Sequence, residues 1–290
     1  MHKIIFIGTN QFAVPILEAL VACPLYSVFC TITAPDKPSG RKQRLTSSPV
    51  KQTTLKYRLP LLQPEKVSNI KADLGKIQPD LIVLAAYGQI INSEILKLPR
   101  FGCLNIHPSL LPQYRGPSPI QTAILNGERT TGISLILMDE KIDHGPLINQ
   151  KKVKIAHNDT YQSLEQKLAQ RGARLLIQTL PDYIKGKIKP KKQKHKQASY
   201  TKILNRQDGK IDWSKSAQDI ERKVRAFYPW PGTWTYLAGQ RVKIIKAKAL
   251  NKKQKTTLPA GQGFLQLDVV QPAGKKPMTG EEYFRGHPNN

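Results

Sequence analysis

Long apolar runs are missing from this sequence. The longest, Leu81 to Tyr87, spans seven residues, against the ~20 that a membrane-spanning helix needs. At the N-terminus only four apolar residues, 4–7, precede Gly8, too few for the apolar region of a secretory signal. Cysteine is scarce as well. Cys23, Cys30 and Cys103 form no CxxC pair and have no His/Cys spacing suited to a metal. They read as small apolar packing residues of a protein kept in a reducing compartment, with no metal expected. There is no GxGxxG and no Walker A loop. Gly8 after a strand is too weak a signal to imply a nucleotide cofactor. These absences point to a soluble, cytoplasmic chain.

Acidic residues are the other deficit. Twenty Asp and Glu face 46 Lys and Arg, for a formal charge of +26. Residues 1–180 hold 22 basic and 12 acidic side chains, and residues 181–290 hold 24 and 8. The shorter segment therefore carries the larger excess. A polyanionic partner is the physical reading, because basic surface gains by releasing counterions from phosphates. The alternative is a chain that is simply rich in lysine. At 290 residues, and ~150 residues per domain, two domains are expected.

The first 150 residues alternate between strand-like and helix-like patterns. Strands are expected at 3–7, 27–33, 80–86, 102–107 and 132–138, and helices at 12–21, 50–57, 67–77 and 120–126. The run at 80–86 is almost continuously apolar, as in a strand buried on both faces. Such alternation predicts an α/β fold with a doubly wound, mostly parallel sheet. Residues 161–183 predict one long helix, with Leu164, Leu168, Leu175 and Leu176 among its apolar positions. It closes a first domain, 1–184. The lysine-dense stretch 185–202 reads as an exposed basic linker. Beyond it, a helix at 217–227 and short strands at 233–236, 241–249 and 264–270, punctuated by glycines, predict a small β-barrel domain over 203–290.

The chemistry concentrates in Asn105-Ile106-His107-Pro108-Ser109-Leu110-Leu111-Pro112 and in Asp143-His144-Gly145. On a strand, residues two apart point to one side, so Asn105 and His107 project together at the strand's carboxyl end. Ligands of doubly wound sheets bind at that end. An amide donor, a titratable base and a carboxylate suit a transfer that passes through an oxyanion-bearing tetrahedral intermediate. Separately, each is an ordinary residue: a core histidine, a turn asparagine, a loop aspartate.

These motifs resemble the core of the 10-formyltetrahydrofolate-dependent formyltransferases. The stretches Ile4-Ile5-Phe6-Ile7-Gly8-Thr9, Pro35-Asp36-Lys37-Pro38-Ser39-Gly40-Arg41 and Ser48-Pro49-Val50-Lys51 are similar to the branch of that family that acts on methionyl-tRNA. So are Arg225-Ala226-Phe227, Pro229-Trp230-Pro231 and Gln271-Pro272-Ala273-Gly274-Lys275-Lys276-Pro277-Met278. The resemblance runs from residue 3 to about residue 286. It implies a Rossmann-like catalytic domain and an OB-like barrel, with 10-formyltetrahydrofolate as formyl donor and the α-amine of methionyl initiator tRNA as acceptor.

It also implies roles. Asn105 holds the oxyanion, His107 shuttles the proton or stabilises charge, and Asp143 orients the imidazole or receives the proton. Tyr87, Gly88, Gln89 and Ile90, with Ser109, Leu110, Leu111 and Pro112, are expected to hold the folate. Lys37, Arg41, Lys42 and Arg44, on a basic loop read as exposed and mobile, are expected to meet the tRNA acceptor end. Arg115 either contacts substrate or organises its loop. Lys243 and its neighbours at alternate positions are expected to track the RNA backbone. Trp213, Trp230 and Trp234 read as packing anchors rather than stacking platforms. His144 departs from the family, which commonly has Thr or Ala there, and is taken as a spectator. No apolar surface signal suggests a dimer, so a monomer is expected. Two other functions fit parts of the sequence: a formyltransferase for a sugar nucleotide or small amine, and a non-catalytic RNA-binding protein on the same scaffold.

Overall fold

The computed structural model describes residues 1–39 and 44–287. The chain forms two compact units. The first takes 1–117, 130–154 and 165–201, and the second takes 118–129, 155–164 and the chain from 202 onward. The expected boundary at 184 is therefore displaced. Residues 185–201 belong to the first unit and are not a free linker. The backbones of Lys191 and Leu147 exchange two hydrogen bonds, at 2.7 and 2.8 Å, and Ser199 and Thr201 bond to Pro112 and Arg115. The lysines of this stretch remain exposed while its backbone is tied down.

The elements run in chain order as β1 (His2–Gly8), α1 (Val14–Ala22), β2 (Tyr26–Ile32), β3 (Lys37–Ser39), β4 (Arg44–Thr46), α2 (Pro49–Lys56) and β5 (Leu61–Leu62). Next come α3 (Lys71–Ile77), β6 (Leu81–Ala85), α4 (Ser93–Leu96), β7 (Cys103–His107), α5 (Pro119–Leu125, in the second unit), β8 (Thr130–Leu137), β9 (Leu147–Lys154) and α6 (Tyr161–Ile184). Seven strands of the first unit form one sheet in the order β5-β2-β1-β6-β7-β8-β9. The first five are parallel, and β8 and β9 close one edge as an antiparallel pair.

The central strands are buried along their length, including Ile4 to Ile7 on β1 and all of β6. This is the two-sided burial that parallel sheets require. Register aligns their carboxyl ends. Gly8 faces Ala85, and Leu84 lies between Ile7 and Asn105. Helix α6 buries Leu164, Leu168, Leu176 and Leu180, the four-residue rhythm of one helical face. At Gly172 a Cβ would lie 3.0 Å from Ile106 Cγ2, so a glycine lets the helix settle closely onto β7.

Besides the short β5 and α4, and the short segments Thr257–Pro259, Met278–Thr279 and Gly280–Arg285 of the second unit, two features of the first unit went unread in the sequence. Strand β9, Leu-Ile-Asn-Gln-Lys-Lys-Val-Lys, has too little apolar content to signal a strand, yet it pairs along its length with β8. The basic loop expected to be mobile is an antiparallel hairpin in its described part, pairing Lys37 with Thr46 and Ser39 with Arg44. Its base is clamped by Asp36, which accepts from Lys51 Nζ at 2.7 Å and Gln63 Nε2 at 3.0 Å. Those two bonds, Lys51's first, hold the Asp36 carboxyl below its ordinary range.

The second unit carries α7 (Ala217–Phe227), β10 (Thr233–Leu237), β11 (Gln240–Leu250), β12 (Thr257–Pro259), β13 (Phe264–Pro272), β14 (Met278–Thr279) and α8 (Gly280–Arg285). Its strands pair antiparallel in the order β10-β11-β13-β12, with β14 on β13. Val242, Ile244, Leu265, Leu267 and Val270 pack with Ile220 and Val224 of α7 and Tyr283 of α8 to make its core. Burial pushes the Cys30 thiol up to about 11 and that of Cys103 to about 12, as expected of packing cysteines; Cys23 is only partly buried. Among the described residues no helix is long and apolar enough to cross a membrane.

Candidate active site

Strand β7 places Asn105 and His107 two residues apart at its carboxyl end, both buried. The turn after it is held partly by its own groups and partly by β8. Ser109 N donates to His107 O, and Ser109 Oγ donates to Gln113 O at 2.6 Å. Ser134, on the neighbouring β8, is the hub. Its Oγ accepts from Leu111 N and Gln150 Nε2 and donates to Ser109 O. The Leu111–Pro112 peptide is cis.

Asp143 arrives from the β8–β9 connection. Two features hold it there. Gly145 lies so close to β8 that a Cβ would fall 1.9 Å from Leu137 O. Asp143 itself has a left-handed backbone, φ 48°, which Asp tolerates better than most residues. Its carboxylate collects three groups. Oδ1 accepts from Asn105 Nδ2 at 3.1 Å and lies 3.5 Å from His107 Nδ1. Oδ2 accepts from Gly116 N at 2.8 Å. The other ring nitrogen, His107 Nε2, stands 2.9 Å from Tyr114 O. A carbonyl can only accept, so Nε2 carries the proton. The expected trio is therefore assembled, with the carboxylate at its centre. Asn105 spends one N–H on Asp143 and keeps a second to aim at a developing oxyanion.

Arg115 does not reach outward. It is 1% exposed, so of its two expected roles the structural one is realised. Its Nη2 donates to Gln193 Oε1 at 2.7 Å and lies 2.9 Å from His195 Nδ1, and Nη1 donates to Tyr200 Oη at 3.1 Å. Gln193 Nε2 in turn donates to Asp143 O at 2.8 Å and Gly145 O at 2.7 Å. His144 is more than a bystander in the fold. Its Nδ1 meets Asp139 Oδ2 at 2.6 Å, and its ring stacks on His195 at 4.0 Å. Sequence reasoning missed Gln193 and His195, because a lone glutamine and histidine in a lysine run carry no periodic signal.

The expected folate residues divide. Gly88, with φ 86° and open space around its Cα, and Ile90, 75% exposed, lie at the open end of β6. Tyr87 is buried with its hydroxyl unpartnered. Gln89 is occupied internally, accepting from Val67 N and donating to Glu65 O. Ser109 and Leu111 are buried, Pro112 is half-buried, and Leu110 packs on Gly132. Those four build the turn that follows His107, with Leu110 and Pro112 partly exposed.

Of the expected RNA contacts, Lys37, Arg44 and Lys243 are exposed, and Arg41 and Lys42 lie outside the described residues. On β11 strict alternation would turn Lys246 and Lys248 away from the face that carries Arg241 and Lys243. Register shifts between Ile244 and Ala247 restore the phase, and all four cations are exposed. Trp213 and Trp234 are anchored by N–H donation to Thr235 Oγ1 and Arg206 O. Trp230 is 51% exposed, contrary to its reading as a packing anchor.

Comparison with known proteins places this geometry. Residues 2–180 match the formyl transferase domain and residues 203–288 match the formyl transferase C-terminal domain. Methionyl-tRNA formyltransferase from Roseiflexus castenholzii is 42% identical over 98% of this chain and 96% of its own length. The Bacillus subtilis protein of the same name is 40% identical over 99% and 95%. Among solved structures, an N-formyltransferase from Helicobacter canadensis, in complex with folinic acid and dTDP-3-aminofucose, aligns with TM-score 0.69 at 21% identity, covering 94% of this chain and all of that one. That last likeness shows the fold, and the full-length relatives show the kinship: the chain belongs to the formyl transferase family, in its methionyl-tRNA formyltransferase branch.

Proposed function

We propose that this enzyme transfers the formyl group of 10-formyltetrahydrofolate to the α-amine of methionyl initiator tRNA, for translation initiation. The observation that carries the reading is similarity of about 40% to methionyl-tRNA formyltransferases along nearly the whole chain, joined to the convergence of Asn105, His107 and Gly116 N on Asp143. The donor class is a folate derivative, and the open, glycine-marked end of β6 suits a flat heterocycle.

In the reaction the amine nitrogen bonds to the formyl carbon and the formyl oxygen takes the negative charge. The bond from that carbon to folate N10 then breaks. The amine gives up one proton and N10 gains one. Asn105's remaining N–H donates to the oxyanion. The His107–Asp143 pair receives the amine's proton and supplies one to the departing nitrogen. Gly116 N fixes the carboxylate so that this pair stays aligned. The exposed cations of the hairpin β3–β4 and of β11 meet the RNA by its phosphates, without reading sequence. We place the enzyme in the cytoplasm as a monomer.

The test is formylation of methionyl initiator tRNA compared with free methionine and with an amino-sugar nucleotide. Product on the tRNA alone supports the reading. Product on the amino-sugar nucleotide alone replaces it with the sugar-modifying alternative. Asn105→Ala and His107→Ala are each expected to lower kcat by about 10²–10³ while the tRNA Kd holds; full activity in either would remove the assigned roles.

A further inference from the structure

We propose that Gln193 is a positioning residue for the transfer reaction, acting through the backbone of Asp143. The proposal rests on the formyl-transfer reading of the Asn105–His107–Asp143 site. Gln193 stands in a stretch whose other polar residues face solvent, yet it is 5% exposed. Its two halves do different things. Oε1 accepts from Arg115 Nη2 at 2.7 Å, and Nε2 donates to Asp143 O at 2.8 Å and to Gly145 O at 2.7 Å. A guanidinium can only donate and a carbonyl can only accept, so the orientation of the amide is determined by its partners.

Both ends of this arrangement are anchored. Upstream, Lys191 and Leu147 exchange backbone hydrogen bonds, and downstream Arg115 N donates to Ser199 O while Thr201 N donates to Arg115 O. The Arg115 guanidinium is buried, and its side-chain partners among the described residues are Gln193, His195 and Tyr200, none of them a carboxylate. What Gln193 holds is a segment under strain. Asp143 sits at φ 48°, and such backbone persists only where surrounding contacts over-determine it. The Asp143 carboxylate orients Asn105 and His107, so a small rotation at its Cα misaligns both.

The decisive variant is Gln193→Glu. It gives Arg115 a carboxylate partner, which preserves the packing, but removes the only donor that Gln193 offers to the two carbonyls. Gln193→Met, similar in size and without hydrogen-bonding groups, removes both. Three quantities are read on the full-length enzyme: kinetics of tRNA formylation, melting temperature, and hydrogen exchange of backbone amides over 138–147. Gln193→Glu is expected to lose less melting temperature than Gln193→Met, because Arg115 keeps a partner, and to keep the KM for methionyl-tRNA. Its kcat falls about ten- to a hundredfold, the scale of a misplaced catalytic group, and exchange over 138–147 quickens. Gln193→Met is expected to lose kcat and melting temperature together. Wild-type kcat and exchange in Gln193→Glu would overturn the proposal. So would a loss of kcat that merely tracks the loss of melting temperature across the two variants, which would make Gln193 a fold-stability residue only. If the wild-type enzyme formylates nothing, the formyl-transfer reading fails; the exchange measurement still decides whether Gln193 holds the Asp143 segment.

Discussion

At Gly145 a single methyl group is too much. Its Cβ would lie 1.9 Å from Leu137 O, and neither backbone can give way without moving Asp143. Gly145→Ala is expected to destabilise the first unit by about 1–3 kcal/mol, the usual range for overpacking, and to lower kcat further than the stability loss explains. Urea unfolding beside steady-state kinetics measures both. His195 gives a pH dependence. Desolvation first, then the neighbouring His144 and Arg115, with Lys141, lower its pKa, and Asp139 opposes them. The folded chain then binds fewer protons at His195 than the unfolded chain, whose histidine titrates at about 6.5. Stability therefore falls as pH drops below that value through the lowered folded pKa, and is fully present above it. Melting curves between about pH 7 and pH 5 should show a decline that His195→Asn, which keeps an acceptor for Arg115, makes shallower. At this scale Asn105 and His107 were legible because a strand's period of two is a local pattern, and Asp143 because the Asp-x-Gly resembles a family motif. Gln193 and the burial of Arg115 were not, because their partners lie some 50 and 80 residues away in sequence.

Among the elements, the turn after β7 depends on β8 more than on itself. Ser134 Oγ accepts from Leu111 N and donates to Ser109 O, and all three residues are buried. Ser134→Ala leaves both backbone groups unsatisfied and is expected to cost about 1–3 kcal/mol, read as a lower urea midpoint at unchanged slope. Strands β1, β2, β6 and β7 and helices α1, α6 and α7 fall close to their sequence expectations, because long periodic segments state their own burial. Strand β9 and the hairpin β3–β4 were missed. Both are edge or surface elements made by pairing, and β9 buries only Ile148 and Val153 of its eight side chains, too few to mark a strand. The register shifts of β11 belong to the same class: alternation along the strand says nothing of where its partner slips.

For the whole molecule the governing quantity is charge, +26 over 290 residues. Affinity for methionyl-tRNA is expected to fall linearly in log–log form as salt rises. Replacing both Lys243 and Lys246 by Gln is expected to reduce the magnitude of that slope by about 1 for each lysine that meets a phosphate, leaving kcat at saturating tRNA unchanged. Filter binding across a salt series reads the slope, and an unaltered slope removes β11 from the RNA surface. Division of the chain into units is also a property of the whole. Residues 118–129 and 155–164 lie with the chain beyond 202, and a linear reading of the sequence cannot assign an early segment to a late unit.

By itself the sequence determined the parallel α/β core and the basic surface, since each is written in local periodicity or in composition, while Asn105, His107 and Asp143 were singled out by motifs that resemble a known family. Only the tertiary structure decided that Asp143 is the shared acceptor for Asn105 and Gly116 beside His107, that Arg115 is buried, and that residues 185–201 serve the first unit. Those outcomes turn on hydrogen bonds between residues distant in the chain. A buried polar group takes its partners from whatever the fold brings within about 3 Å, not from its neighbours in sequence.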